Sequence, residues 1–82
     1  GDIKKETQQV MENLGYILEA AEMKFKNVVK STIFLSEMEN FGEVNQVYSS
    51  YFENKSAPAR ETLAVKGLPK NVRVEISMIA VK

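Results

Sequence analysis

The stretch Val28-Val29-Lys30-Ser31-Thr32-Ile33-Phe34-Leu35 decides the fold of this chain. Its β-branched residues favour extended backbone and predict a strand. Apolar residues occupy both alternating sets of positions, so both faces of this strand need apolar neighbours. The pattern therefore predicts a central strand of a sheet.

An amphipathic helix is predicted on either side of this strand. The first runs from about residue 3 to residue 21, with Asp2 as its N-cap. Its apolar face is predicted at Val10, Leu14, Ile17, Leu18 and Ala21. The second is predicted to begin with Asn40 and Glu43 as a capping box. Its apolar face comprises Phe41, Val44, Val47, Tyr48, Tyr51 and Phe52.

The first helix contains Gly15 and lacks a glycine at its exit. Glycine costs a helix about 1 kcal/mol relative to alanine, so Gly15 indicates close packing at that position. The exit Ala20-Ala21-Glu22-Met23 offers no glycine for a left-handed C-cap.

Two further strands are predicted towards the C-terminus. A polar connection from Asn54 to Pro58 ends the second helix, and a strand follows from Arg60 to Val65. Gly67 to Asn71 supply turn chemistry. The last strand, Val72 to Val81, alternates, with one face formed by Val72, Val74, Ile76, Met78 and Ala80. The order αβαββ predicts one α+β domain over residues 1–82, with two helices on one face of the sheet.

Composition excludes several classes of function. The chain has no cysteine and no histidine, which excludes disulfides, cysteine nucleophiles, Ser-His-Asp triads and zinc sites built on thiolate or imidazole. Its 11 basic and 11 acidic residues balance, so no overall field attracts nucleic acid, and such a partner is not expected. No apolar stretch could span a membrane, and the cytosol is the default location.

The length of 82 residues predicts an oligomer. So short a chain buries only about 60% of its unfolded surface. With no disulfide available, a partner subunit is the remaining source of stability.

Arg60 and Glu75 are the residues most informative about function. Arg60 ends the segment Ala57-Pro58-Ala59-Arg60, and Glu75 follows in the last predicted strand. On two neighbouring strands, the guanidinium could grip a carboxylate with two hydrogen bonds while the glutamate handles a water. The alternative is a cross-strand surface ion pair.

Three segments resemble the C-terminal signature of the reactive intermediate deaminase family, RidA or YjgF. They are Ala57-Pro58-Ala59-Arg60, Val65-Lys66-Gly67-Leu68-Pro69-Lys70 and Val74-Glu75-Ile76-Ser77-Met78-Ile79-Ala80-Val81. Both predicted helices and the strand Val28–Leu35 resemble their family counterparts, so the resemblance covers the whole chain.

The resemblance implies a chorismate-mutase-like fold and a homotrimer with active sites in the clefts between subunits. The implied reaction is hydrolysis of enamines and imines, such as 2-aminoacrylate, 2-iminobutanoate and 2-iminopropanoate, to 2-oxo acids and ammonia. No metal or organic cofactor is implied. Family members are longer, and the N-terminal strands that they carry are expected to be lacking here, as in a processed product or a fragment. Two positions depart from the pattern, with Thr62 where cysteine is common and Glu22 where glycine is common.

The resemblance assigns roles to four residues. Arg60 is implied to bind the substrate carboxylate and Glu75 to orient water. Asn45 and Thr62 are implied to lie near the ligand, the alternatives being a polar residue on the wet side of a helix and an ordinary strand residue.

Three function classes stay open. A deaminase needs both Arg60 and Glu75, whereas a non-catalytic module that binds small acids needs only Arg60. An endoribonuclease or translation inhibitor, as described for some family members, is the third.

Overall fold

The computed structural model describes residues 2–52 and 57–82, which form two helices and three strands. Helix α1 spans Ile3–Ala20, strand β1 Val28–Leu35, helix α2 Phe41–Ser49, strand β2 Ala59–Ala64 and strand β3 Val74–Ala80. Short 3₁₀ turns lie at Phe25–Asn27, Met38–Asn40 and Pro69–Asn71. The predicted order αβαββ is confirmed. β1 has its predicted bounds, and the ends of β2 and β3 differ from theirs by one or two residues.

β1 is the central strand, as predicted, because the sheet has the order β2-β1-β3. β2 runs parallel to β1 and is reached through α2, whereas β3 is antiparallel to β1. Arg60 on β2 and Glu75 on β3 therefore do not lie on neighbouring strands. The prediction that they do was wrong, because the α2 crossover places β2 on the far side of β1.

The two helices cover one face of the sheet, as predicted. Ile33 and Leu35 of β1 and Val44 of α2 are fully buried. The same core cluster contains Ile3, Met11, Tyr48, Val74 and Ile76. No described element covers the other face, which explains why Leu63 and Ile79 are about half exposed.

The buried side of α1 differs in part from the predicted one. Leu18 is buried as predicted, but Ile17 is 65% exposed, so its assignment to the core was wrong. Met11 and Thr7 are fully buried instead. The Thr7 hydroxyl donates to the Ile3 carbonyl at 2.8 Å, which satisfies a polar side chain in the core.

Both ends of α1 have defined caps. The Asp2 carboxylate accepts from the Lys4 amide at 2.9 Å, as predicted for an N-cap. At the other end, the Met23 amide donates to the Leu18 carbonyl at 2.8 Å, while Glu22 adopts a left-handed φ of 60°. This is a Schellman cap with glutamate at the position that favours glycine.

The predicted capping box of α2 was wrong. Asn40 has helical backbone angles, φ −83° and ψ −3°, and its side chain makes no capping hydrogen bond. The 3₁₀ turn Met38–Asn40 runs directly into the helix, so Asn40 lacks the extended backbone that an N-cap requires.

Two further observations concern other sequence predictions. The polar connection predicted from Asn54 to Pro58 lies outside the described residues except for Ala57 and Pro58. Neither α1 nor α2 combines the length and the apolar character that crossing a membrane requires.

Candidate active site

Arg60 extends from β2 towards α2. It lies opposite Ser31 of β1, which is 0% exposed. Residues in register on neighbouring strands share a face of the sheet, so Arg60 emerges on the side that the helices cover. Because β2 lies at the edge of the described sheet, the Arg60 side chain stays accessible to solvent.

The structure brings Asn45 and Arg60 together. Nη1 of Arg60 donates to Oδ1 of Asn45, which also lies 3.5 Å from the Ser49 hydroxyl. The amide thereby fixes one corner of the guanidinium, and no other hydrogen bond engages the guanidinium within residues 2–52 and 57–82. Direct contact of Asn45 with a ligand stays a prediction.

Two aromatic rings of α2 flank the same guanidinium. The Arg60 Cζ atom lies 5.4 Å from the centroid of the Phe41 ring and 5.6 Å from that of Tyr48. Both distances fall in the range of cation–π attraction. The apolar spacing of α2 predicts only a core role for these residues. The sequence signal of a second role is that Phe41, Asn45 and Tyr48 form one i, i+4, i+7 stripe.

A cavity of about 360 Å³ opens beside Arg60. It is lined by Asn45, Tyr48, Ser49, Phe52, Ala57, Pro58 and Arg60. Its size and its mixture of apolar walls with a few polar groups suit a small ligand. A larger groove of about 690 Å³ runs along the C-terminal half of α1 and contains none of the predicted site residues.

Thr62 shares the helix-covered face with Arg60. It lies opposite the fully buried Ile33 and is itself half-buried. Two positions along a strand correspond to about 6.6 Å, so both residues border the same region of the sheet. A contact between Thr62 and a ligand stays a prediction.

Glu75 lies on the other face. It is paired with Phe34 and stands between Val74 and Ile76, which are both buried under the helices. Its side chain must therefore point away from them, onto the uncovered face. Along the strands Glu75 is displaced from Arg60 by about 10 Å, and across them by about another 10 Å.

One chain therefore does not bring Arg60 and Glu75 together. The cross-strand ion pair considered from sequence is not formed, and neither side chain takes part in any ion pair among residues 2–52 and 57–82. No group of three or more metal-ligating side chains converges in this part of the chain either.

Known proteins resemble this chain over its whole length, both in sequence and in fold. A family model described as endoribonuclease L-PSP matches residues 1–82. The chain is 48% identical to the 2-iminobutanoate/2-iminopropanoate deaminase of Mus musculus, over 100% of this chain and 60% of that protein. The crystal structure of the YjgF gene product of E. coli has a TM-score of 0.92 at 37% identity, over 100% of this chain and 66% of that one. E. coli TdcF, solved with bound serine, has a TM-score of 0.92 at 30% identity, again with 100% and 66% covered. The chain spans about three fifths of the length of the curated relatives that it matches.

Proposed function

Because the chain belongs to the RidA/YjgF family, the family described as endoribonuclease L-PSP, we propose that it forms part of a 2-imino acid deaminase. The enzyme hydrolyses R–C(=NH)–COO⁻ with one water to R–CO–COO⁻ and ammonia. The observation that carries the proposal is the Arg60 guanidinium, held by Asn45 at the border of a small cavity. The mouse relative is named 2-iminobutanoate/2-iminopropanoate deaminase, which supports the proposal.

Arg60 binds the substrate carboxylate in this proposal. A guanidinium has five N–H donors in a planar fork that matches the two oxygens of a carboxylate. Asn45 engages Nη1, and in this proposal the donors that no described residue engages bind the ligand. The carbon of the C=N bond and its short substituent then enter the neighbouring cavity, next to Phe52 and Pro58.

The hydrolytic step requires Glu75 from a second subunit. Water adds to the imine carbon, a proton moves from water to nitrogen, and the carbinolamine releases ammonia. A carboxylate can relay both protons. Since Glu75 and Arg60 lie on opposite faces of one sheet, we place the site in a cleft where Arg60 of one subunit faces Glu75 of another, in a homotrimer.

A coupled assay that generates the imine in situ tests the proposal. The chain should be assayed alone and in a chimera where it replaces its counterpart in the mouse deaminase. Glu75→Gln is expected to lower turnover by about 10²–10⁴-fold while 2-oxobutanoate binding persists. Arg60→Ala should lose both turnover and 2-oxobutanoate binding. Arg60→Lys should lose them too, because an ammonium lacks the planar fork of the guanidinium. Unchanged deamination in Glu75→Gln would contradict the role in hydrolysis, and unchanged binding in Arg60→Ala would contradict the site.

A non-catalytic module that binds small acids is the second candidate. The separation of Arg60 from Glu75 within one chain favours it, and TdcF offers a relative that holds serine. Binding of 2-oxobutanoate without turnover in both chain and chimera would identify this function. No specific contact among the described residues favours an endoribonuclease. The cytoplasmic location stays a prediction that a fluorescent fusion can check.

A further inference from the structure

We infer that Phe41 and Tyr48 are positioning residues that hold the Arg60 guanidinium ready for the substrate carboxylate. The inference rests on the proposed function of Arg60 as the carboxylate-binding group. It assigns a binding role to two aromatic side chains that helical spacing alone predicts as core.

The geometry places the guanidinium between two turns of α2. Phe41 and Tyr48 are seven residues apart, which is about 10.5 Å along a helix axis. The Arg60 Cζ atom lies 5.4 Å from one ring centroid and 5.6 Å from the other. Asn45 occupies the turn between them and accepts from Nη1. The rings therefore fix where the cation lies along the helix, and the amide fixes how it is rotated.

Among residues 2–52 and 57–82, the partners of the guanidinium are Phe41, Asn45 and Tyr48, and all of them are electrically neutral. A carboxylate in this position would hold Arg60 equally well but would compete with the substrate for its donors. Aromatic faces attract the cation through the ring quadrupole and accept none of its in-plane hydrogen bonds. These three groups restrain Arg60 without neutralising it, so they leave its charge available to an anion.

The state of the Tyr48 hydroxyl agrees with a role for the ring. Tyr48 is 4% exposed, and its buried hydroxyl has no hydrogen-bond partner in the part of the chain that the structure describes. Its contribution at Arg60 therefore comes from the aromatic face. Arginine is long and flexible, and restraining it before the ligand arrives removes part of the ordering penalty of binding.

Graded fluorination of Phe41 tests the inference. Mono-, tri- and pentafluorophenylalanine at position 41 progressively withdraw the negative charge of the ring face while nearly preserving its shape. The affinity for 2-oxobutanoate, measured by isothermal titration in the chain or in the mouse chimera, should fall stepwise, by about two- to tenfold overall. Phe25 offers a matched control, because its ring contacts Tyr51 and Phe52 rather than Arg60. The same series at position 25 should leave the affinity unchanged.

The outcomes separate this inference from the proposed function. A flat series at position 41, in a protein whose Arg60→Ala variant no longer binds 2-oxobutanoate, overturns the inference and leaves the proposed function standing. Equal weakening in both series also overturns it, because the effect would then be general to the core. Full binding in Arg60→Ala overturns the proposed function, and the positioning role fails with it.

Discussion

Glu22 carries a backbone conformation that its side chain disfavours. Its φ of 60° is left-handed, which costs a residue with a Cβ about 1–2 kcal/mol, while glycine adopts it freely. Replacing Glu22 with glycine would remove this cost, but the greater conformational freedom of glycine in the unfolded chain offsets part of the gain. We expect Glu22→Gly to stabilise the fold by about 0.5–1 kcal/mol, or roughly 2–8 °C in Tm by calorimetry.

The same substitution inside the helix provides the control. Glu12 is an exposed residue of α1, and Glu12→Gly should destabilise by about 1 kcal/mol. The ion pair that Glu22 forms with Lys82, 3.7 Å long and largely exposed, contributes little and should not mask the gain. A lower Tm for Glu22→Gly would show that its side chain contributes more than its backbone conformation costs.

The residues around Arg60 show what the sequence could and could not predict about the site. The family resemblance implies that Asn45 lies near the ligand, but the hydrogen bond between Asn45 and Arg60 was not predicted, because a fifteen-residue separation implies no contact by itself. The rings of Phe41 and Tyr48 satisfy helical core spacing, so their second contact depends on where β2 returns. Such a contact is tertiary, and the i, i+4, i+7 stripe indicates only that Phe41, Asn45 and Tyr48 share a helix face.

At the scale of elements, the stability that α1 contributes depends on which of its side chains are buried. Met11 is fully buried, whereas Ile17 is 65% exposed. We expect Met11→Ala to destabilise the fold by about 2–5 kcal/mol through the cavity that it leaves. Ile17→Ala should change stability by no more than about 0.5 kcal/mol. Urea unfolding of the two variants checks this, and a larger loss in Ile17→Ala would restore the face predicted from sequence or place position 17 in a subunit contact.

An ion pair joins α1 to the segment that precedes β3. Nε of Arg73 donates to Oε2 of Glu6 at 2.7 Å, and both side chains are about one-third exposed. The hydrogen bond from Arg73 holds the pKa of the Glu6 carboxyl below its usual value of 4.5. A depressed folded-state pKa stabilises the fold above the unfolded-state pKa, and the contribution is lost as pH falls through the folded-state value. Glu6→Gln should therefore have a lower Tm than wild type at neutral pH, and calorimetry should show the difference shrinking below pH 4.5.

Glu39 gives a control of opposite sign. A hydrogen bond with Glu37 and the repulsion between the two carboxylates raise the pKa of Glu39. The fold favours the protonated form of Glu39, which contributes to stability at low pH. That contribution is lost as pH rises through the raised pKa. Glu39→Gln should match or exceed the wild-type Tm at neutral pH. Parallel pH profiles for the two variants would contradict the assignment of the Glu6 effect to Arg73.

The elements themselves were predictable, whereas one strand pairing was not. β1 has β-branched residues and two apolar faces, which indicate a central strand from local sequence alone. β2 and β3 follow each other in the chain, and consecutive strands usually pair. Here the α2 crossover sends β2 to one edge of β1 while β3 takes the other. That choice depends on helix packing against the sheet, which the spacing of residues does not encode.

At the scale of the whole molecule, the sheet separates the two residues that the proposed chemistry needs. Its helix-covered face carries Arg60, and its uncovered face carries Glu75 together with half-exposed Leu63 and Ile79. Apolar residues on an uncovered face favour association. The homotrimer stays a prediction, and it explains how one surface could cover this face and complete the site.

Mixing two inactive variants tests the shared site. Arg60→Ala chains retain Glu75, and Glu75→Gln chains retain Arg60. A site between subunits is therefore intact wherever Arg60 of a Glu75→Gln chain faces Glu75 of an Arg60→Ala chain. Random mixing of the two by co-expression in the mouse chimera should restore roughly a quarter of the wild-type deaminase rate. Mixing Arg60→Ala with the double variant Arg60→Ala, Glu75→Gln should restore none, because no chain then supplies the arginine. If each active site took both residues from the same chain, every site in the mixture would lack either Arg60 or Glu75. The mixture would then stay as inactive as its components. Since Arg60 of β2 and Glu75 of β3 lie on opposite faces of the sheet, recovery of activity is the outcome that we expect of a deaminase built on these two residues.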